Sequence, residues 1–342
     1  MEYTGEKLRS ELESAKKALK KGKEYSKSSV LSLRFNPDWD SVSRYSRDAA
    51  TILRRCGAAH ATLLLEALEM SARSNEEINA FNQVALDQEE IAALYSKGAL
   101  GDPAKMSTKT TEAYRAASRF FMLNNQVDRA ANSLLLAAKA VIAAGGATPT
   151  AAAKASCREL MSDACAVYED ADRAATAEQT FKQTLAFLLK DAGDAEGALE
   201  LLRRQNRLYA RRLDMFGNDL HKNYLSEVVL LLSVDRPQAA REALQRYQDA
   251  PAGPALESSF SSSDACSAAG ALIDACGGSA EELEAVRKRH SVLKHLDNAV
   301  SRIAFKLVAT GKGAPRETHS EEAGETAEQG PATSVDAADL LA

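Results

Sequence analysis

An all-α fold is predicted by three observations. Ala, Leu, Glu, Arg and Lys, all strong helix formers, dominate the 342 residues. Glycine (18) and proline (8) are together too scarce for the many tight turns of an all-β chain. A short Asp-led motif also recurs: Asp128-Arg-Ala-Ala, Asp172-Arg-Ala-Ala, Asp194-Ala-Glu-Gly-Ala-Leu and Asp235-Arg-Pro-Gln-Ala-Ala. Each copy follows a turn signal and is read as the start of a helix. Successive copies lie 44, 22 and 41 residues apart, so the middle interval fits one helix and the other two fit helix pairs. The alanines at these starts let antiparallel helices approach closely. Stacked helical hairpins follow, each pair burying its apolar face only against its neighbours. A hydrophobic content of 45% supports a folded chain.

Taken in order, the elements begin with a lysine-rich helix before residue 28. Asn36 then reads as a cap, with Pro37 at the first helical position and Asp38 and Asp40 in the first turn. Val42, Tyr45, Ala49, Ile52 and Leu53 continue at helical spacing, ending near Gly57. A second helix is predicted from about Ala58 to Arg73, with Leu64, Ala67, Leu68 and Ser71 on one face. A third occupies EEINAFNQVALDQEEIAALYSKG, residues 76–98. Gly98 to Thr108 reads as a loop between hairpins, and Asp249 to Asp264, with Pro251, Pro254 and a serine cluster, as a longer one. Helices at Ala265–Cys276, Ala280–Lys288 and Ser291–Val308 then form a small C-terminal bundle. From Gly311 the chain is polar and Gly/Pro/Glu-rich, the composition of a disordered tail. Three units result: a hairpin array over 1–250, the bundle over 251–310 and an acidic tail over 311–342. The repeat is similar to the tetratricopeptide type, though longer and less regular, so the fold class is a TPR-like α-solenoid with a bundle and a tail.

The net charge of -5 is unevenly placed. The tail holds two basic and seven acidic residues, 2 - 7 = -5, and residues 1–310 therefore sum to zero. Met1 to Arg34 carries nine Lys/Arg against five Glu, a net of +4. A basic head, neutral body and acidic tail do not make a nucleic-acid binder. Five cysteines, an odd number with no CxxC and no secretory signal ahead of them, predict reduced thiols in the cytosol. Cys157 and Cys165 read as core positions. No apolar run reaches the length of a membrane span. GxxxxGK[ST], GxGxxG, HExxH and GxSxG are all absent, and the five histidines do not cluster. His290 and His295, five apart on one predicted helix, fall on different faces. No enzyme, cofactor or metal site is expected.

Four stretches invite a binding role. Val30, Leu31, Leu33 and Phe35 are apolar side chains in a Ser-rich connector. In RRQNRLYARR, Arg203, Arg207 and Arg211 are four apart and form one stripe, with Arg204 and Arg212 beside it. That stripe is either a solvated outer face or a positive band for an acidic partner; balancing glutamates are scarce nearby. Glu281, Glu282 and Glu284 precede Arg287, Lys288 and Arg289, an order that suits a helix dipole. Leu340 and Leu341 give the acidic tail an apolar tip.

FNPDWDSVSRYSRDAATIL, LLRRQNRLYARRLD and LKHLDNAVSRIAFKLV resemble the soluble NSF attachment protein family, gamma type. In that family an apolar N-terminal loop precedes a Pro-Asp-x-Asp helix start, matched here by Pro37-Asp38-Trp39-Asp40. The resemblance covers about Met1 to Val308 in layout and is carried by these blocks. It implies an adaptor that coats the four-helix SNARE bundle and recruits the hexameric NSF ATPase after membrane fusion, in vesicle-mediated transport such as the ER–Golgi route. It implies further that Val30, Leu31, Leu33 and Phe35 touch a membrane, with Lys20, Lys21, Lys23 and Lys27 favouring anionic headgroups. The alternative for the four apolar residues is packing on the first hairpin. Arg203, Arg204, Arg207, Arg211 and Arg212 would face the acidic SNARE bundle. Glu281, Glu282, Glu284 and Leu341 would face NSF, although some thirty residues separate Leu341 from the last helix. A cytoplasmic, membrane-peripheral monomer that assembles only on SNAREs is the expectation. The competing expectation is a generic helical-repeat scaffold holding a peptide or protein partner.

Overall fold

The computed structural model describes residues 5–28, 36–146, 149–249 and 259–310, and every regular element among them is helical. Helices α1 (Gly5–Tyr25) and α2 (Trp39–Cys56) form the first hairpin. The next are α3 (Ala61–Glu77) with α4 (Phe81–Ser96), α5 (Pro103–Leu123) with α6 (Val127–Ala144), and α7 (Ala151–Asp170) with α8 (Ala174–Phe187). The series continues with α9 (Ala195–Tyr209), α10 (Leu213–Ser233) and α11 (Pro237–Gln248). From α1 to α11, each helix packs on the one before and the one after it, which makes an all-α solenoid of helical hairpins. Three further helices, α12 (Asp264–Gly277), α13 (Ala280–Arg289) and α14 (Asn298–Ala304), follow. Of these, α12 packs on α10 and α11, while α14 packs on α10 and touches α8. The main buried core takes residues from Ala15 to Leu307, and Ala85, Ala117, Phe121 and Ala130 form a second, smaller cluster. Of the alanines in the Asp-led motifs, Ala131, Ala174, Ala198 and Ala240 are buried in the main core and Ala130 in the smaller cluster.

The turns repeat more faithfully than the motif does. Asn79, Asn125, Asp172 and Asp235 all hold the left-handed conformation, with φ between 53° and 58°. In each case the next N–H bonds a carbonyl five residues back: Ala80 to Asn75 at 2.7 Å, Gln126 to Phe121 at 2.9 Å, Arg173 to Tyr168 and Arg236 to Leu231 at 3.0 Å. This is the helix-ending turn that Asn and Asp tolerate because their short polar side chains lower the cost of positive φ. The four Asp motifs are therefore out of register with one another. Asp172 and Asp235 sit in the turn, Asp194 is the cap of α9, and Asp128 lies inside α6.

Several predicted boundaries move for local reasons. Asp38, not Asn36, caps α2: its carboxylate accepts the Ser41 N–H at 3.0 Å, and Pro37 stays outside the helix. The Asp38 N–H also donates to the Tyr25 carbonyl at 3.1 Å, tying the start of α2 to the end of α1. The EEI of the third predicted helix does not belong to it, because α3 runs on to Glu77 and Asn79 breaks the chain there. α5 starts within the expected loop, since Asp102 accepts the Ala104 N–H at 3.0 Å and Pro103 suits the first helical position. The stretch 291–308 is not one helix. A 3₁₀ turn at Ser291–His295 gives way to α14, capped by Asp297 accepting the Ala299 N–H at 2.9 Å. His290 and His295 thus share no helix.

Side chains of successive hairpins also bond one another. Gln126 bonds Asn82 at 3.0 Å, Ser133 bonds Glu89 at 2.7 Å, and Arg115 bonds Glu159 at 2.7 Å, each pair 44 residues apart. The equivalent turn residues Asn79, Asn125 and Asp172 recur at 46 and 47 residues, so pairs 44 apart are offset neighbours on successive hairpins rather than equivalent positions. Inside the first two hairpins a buried polar network joins α2, α3 and α4. Ser43 donates to Asn75 at 2.7 Å, Asn75 to Ser71 at 3.1 Å and to Asp87 at 3.3 Å, and Gln83 to Asp87 at 2.9 Å. Burial pushes the Asp87 carboxyl up, against the opposing pull of these donors.

Candidate functional site

The arginine-rich segment belongs to α9 and the turn after it. Asp194 starts the helix, its carboxylate accepting the Gly197 N–H at 2.8 Å and Arg158 Nη1 at 2.6 Å. Gly197 is needed for this approach, because a Cβ there would lie 2.4 Å from Asp194 Oδ2. The Gly197 N–H first, and then Arg158, hold the Asp194 carboxyl below its usual range. The stability this group contributes is therefore fully present above the unfolded carboxylate pKa, about 3.9, and lost as pH falls through the lower folded value. Asp194→Ala is expected to lower stability by about 1 kcal/mol at pH 7. Asp194→Asn retains a capping oxygen. Its deficit should vanish in acid denaturation curves once the pH passes below the folded value, and a deficit that persists there rules out the charged cap.

Leu199, Leu202, Leu208 and Tyr209 bury the inner side of α9. The arginines emerge from the remaining sides, but not as one stripe. The α-helix ends at Tyr209, and Arg211 and Arg212 belong to a 3₁₀ turn at Ala210–Arg212, so the five do not lie along one regular helix. Acidic partners come from other elements as well as from α9. Arg203 pairs with Glu227 of α10 at 3.0 Å, and Arg204 with Glu169 of α7 at 2.8 Å. Arg204 also donates to the Ser162 hydroxyl at 2.7 Å and its carbonyl at 3.1 Å, so its side chain keeps only 17% exposure. Arg207 reaches Glu200 at 3.3 Å, Arg211 reaches Asp172 at 3.0 Å, and Arg212 lies 3.8 Å from Asp214. Arg207, Arg211 and Arg212 stay more than half exposed. Arg203, Arg204 and Arg211 thus reach acids on other elements, and Arg207, Arg211 and Arg212 are the three most exposed.

Glu227 is the residue that the sequence hides. It is fully buried on α10, accepting from Arg203 and from the Tyr247 hydroxyl. Burial first, and then the neighbouring Glu227 carboxylate, push the Tyr247 phenol far up, so Tyr247 is a fixed donor. Tyr247 stacks on Tyr224 at 3.7 Å, and Phe260 meets both edge-on. This aromatic cluster joins α10 and α11 to the start of the C-terminal helices. A lone Glu in the apolar run EVVLLL is the one signal in the sequence.

In α13, Glu282 and Ser279 form a reciprocal cap: Glu282 accepts the Ser279 N–H at 2.9 Å and donates its own N–H to the Ser279 hydroxyl at 3.2 Å. Glu284 lies 3.6 Å from both Arg287 and Lys288. Glu281 is exposed and has no ion pair among the described residues. Arg287 turns away from its helix and donates to the carbonyls of Ala304 and Leu307, closing the end of α14. Val30, Leu31, Leu33, Phe35 and Leu341 lie outside the described residues. Of the four lysines near the connector, Lys23 pairs with Glu66 of α3.

The described residues hold no group of three His, Cys, Asp or Glu placed for a metal, and no helix long and apolar enough to cross a membrane. All five cysteines are free thiols, and burial pushes Cys157 and Cys165 up to about 12. Such thiols stay protonated and serve as packing.

Fold and surface define a class: an all-α helical-hairpin solenoid whose charged side chains bridge successive helices and leave selected arginines and acids outside. Within that class the chain is similar to the gamma-soluble NSF attachment protein of Dictyostelium discoideum, at 33% identity over 152 residues. The match covers 44% of this chain and 43% of that relative, so it spans less than half the length of the curated protein it matches. No family model matches the chain.

Proposed function

We propose that this chain is an adaptor of the soluble NSF attachment type, which binds SNARE complexes and recruits and stimulates the NSF ATPase for their disassembly in vesicle-mediated transport. The observation that carries the reading is the 33% identity to a protein named as a gamma-type NSF attachment protein. The all-α hairpin array supports it, since stacked hairpins present long surfaces to elongated partners. In this reading Arg207, Arg211 and Arg212 supply the positive contact to an acidic SNARE bundle, with Arg203 and Arg204 holding the surface in place. Glu281 and Glu284, together with Leu341, face the ATPase, while Glu282 shapes the helix start. Val30, Leu31, Leu33 and Phe35 touch the membrane, and the adaptor is a cytoplasmic monomer until SNAREs gather several copies.

A peptide-holding scaffold is the second reading, and one observation favours it. A polar groove of about 270 Å³ lies between α6 and α8, lined by Asn132, Gln179, Gln183 and Thr176 among others. NSF ATPase activity over a surface-immobilised layer of the protein separates the two. Full-length protein is expected to stimulate hydrolysis, and truncation before Asp336 to reduce the stimulation. Equal stimulation by both moves the trigger from Leu341 to the acids of α13. No stimulation by either, with a folded helical spectrum, overturns the adaptor reading in favour of the scaffold.

A further inference from the structure

The arginines of α9 are mostly engaged with acidic partners, whereas the first hairpin has the opposite character. Lys17 and Lys21 of α1 and Arg44 and Arg55 of α2 have no ion pair among the described residues. Lys17, Lys21 and Arg55 line one groove of about 540 Å³ between the two helices. Its floor includes Ala18 and Ile52, and its walls add Ser14, Tyr45, Thr51 and a single carboxylate, Asp48. Lys17 and Lys21 share a helix face because they are four apart. Three cations against one carboxylate make a site of net positive potential.

The polar groups in the groove divide by chemistry. The Thr51 hydroxyl donates to the Arg47 carbonyl at 2.8 Å, and the Ser14 hydroxyl to the Ser10 carbonyl at 2.9 Å. Their protons are engaged, so both hydroxyls present lone pairs to a ligand, as Asp48 does. Lys17, Lys21 and Arg55 present only donors. Cations flank the Tyr45 ring, with Lys21 Nζ 5.3 Å and Arg44 Cζ 4.9 Å from its centroid. A plain phosphate or an acidic peptide would use the cations and be repelled by Asp48. A ligand carrying both phosphates and free hydroxyls would use both sets.

We infer that the α1–α2 groove binds a multiply phosphorylated polyol, of the inositol phosphate class, with Lys17, Lys21 and Arg55 on its phosphates and Asp48 on a ring hydroxyl. The ligand is either a phosphoinositide headgroup in a membrane or the free inositol phosphate. Lys21 stands about one turn from the end of α1, and Tyr45 nearly two turns from the start of α2. The inference does not depend on the SNARE or NSF roles proposed above.

Calorimetry of the full chain with soluble inositol 1,4,5-trisphosphate tests it, beside flotation with phosphatidylcholine vesicles containing either a phosphoinositide bisphosphate or phosphatidylserine at equal charge. Lys17→Gln/Lys21→Gln is expected to weaken binding about tenfold or more, the loss of two charge-assisted contacts. Arg9→Gln/Lys16→Gln removes the same charge from the same helix outside the groove and is expected to change binding less than threefold. Circular dichroism shows that both variants are folded. Binding to the phosphoinositide vesicles and the soluble headgroup supports the site with a membrane source, and binding to the soluble compound alone supports it with a free source. Equal loss in both double variants, equal flotation with phosphatidylserine, or no binding in any arm overturns it.

Discussion

Replacing Glu227 with alanine is expected to lower the unfolding free energy by about 3 kcal/mol, because it strips a buried carboxylate from its partners. The carboxylate is fully buried, and its two partners differ. The Arg203 side chain is 40% exposed and can return to water, so its share of the loss is small. The Tyr247 hydroxyl is buried against Tyr224 and Phe260 and would be left without an acceptor. Glu227→Gln keeps an acceptor for Tyr247 and should cost less than half as much. Denaturant unfolding of both variants measures this. A loss below about 1 kcal/mol for the alanine variant would mean that Arg203, Glu227 and Tyr247 are not coupled as described. The expected loss should also release the C-terminal helices first, because the aromatic cluster links them to α10 and α11.

The second expected result separates the arginines from one another. Arg204→Ala should cost about 2 kcal/mol, since the side chain makes bonds to Glu169 and to Ser162 on α7 in a half-dry setting. Arg207→Ala should cost less than about 0.5 kcal/mol, because its bond to Glu200 is between exposed groups. In the adaptor reading proposed above, SNARE pull-down of the same variants is expected to reverse the order. Arg207→Ala, Arg211→Ala and Arg212→Ala should weaken capture at unchanged melting temperature. Arg204→Ala should lower the melting temperature and weaken capture only as far as it unfolds the surface. If Arg207→Ala leaves capture intact and Arg211→Ala and Arg212→Ala do too, the α9 surface is not the SNARE contact.

Much of the architecture was legible because helical hairpins are specified locally. Spacing of Val42, Ala49 and Leu53 marked the inner face of α2, and all three are buried. The hairpin rhythm returned as left-handed turns at Asn79, Asn125 and Asp172, 46 and 47 residues apart, although the motif copies at Asp128 and Asp172 fall at different places in it. Boundaries were less legible where two caps competed, as at Asn36 and Asp38, because either side chain is able to accept the first free N–H groups. The Asp-led motif also marked helix starts without distinguishing the turn residue from the cap, since Asp performs both tasks.

By itself, then, the sequence determined the helical class, the hairpin rhythm and the uneven charge, all of which follow from side-chain periodicity and composition along the chain. The tertiary structure decided which charges are free. Glu169, Asp172 and Glu227 lie 35, 39 and 24 residues from the arginines they meet, distances that no local window spans. The run of arginines in α9 that seemed to lack glutamates has partners on other elements, whereas the groove cations of α1 and α2 have none among the described residues. Coulomb attraction acts through space and burial sets its strength, so the partner of a charge is chosen by the packing of helices rather than by its neighbours in the chain.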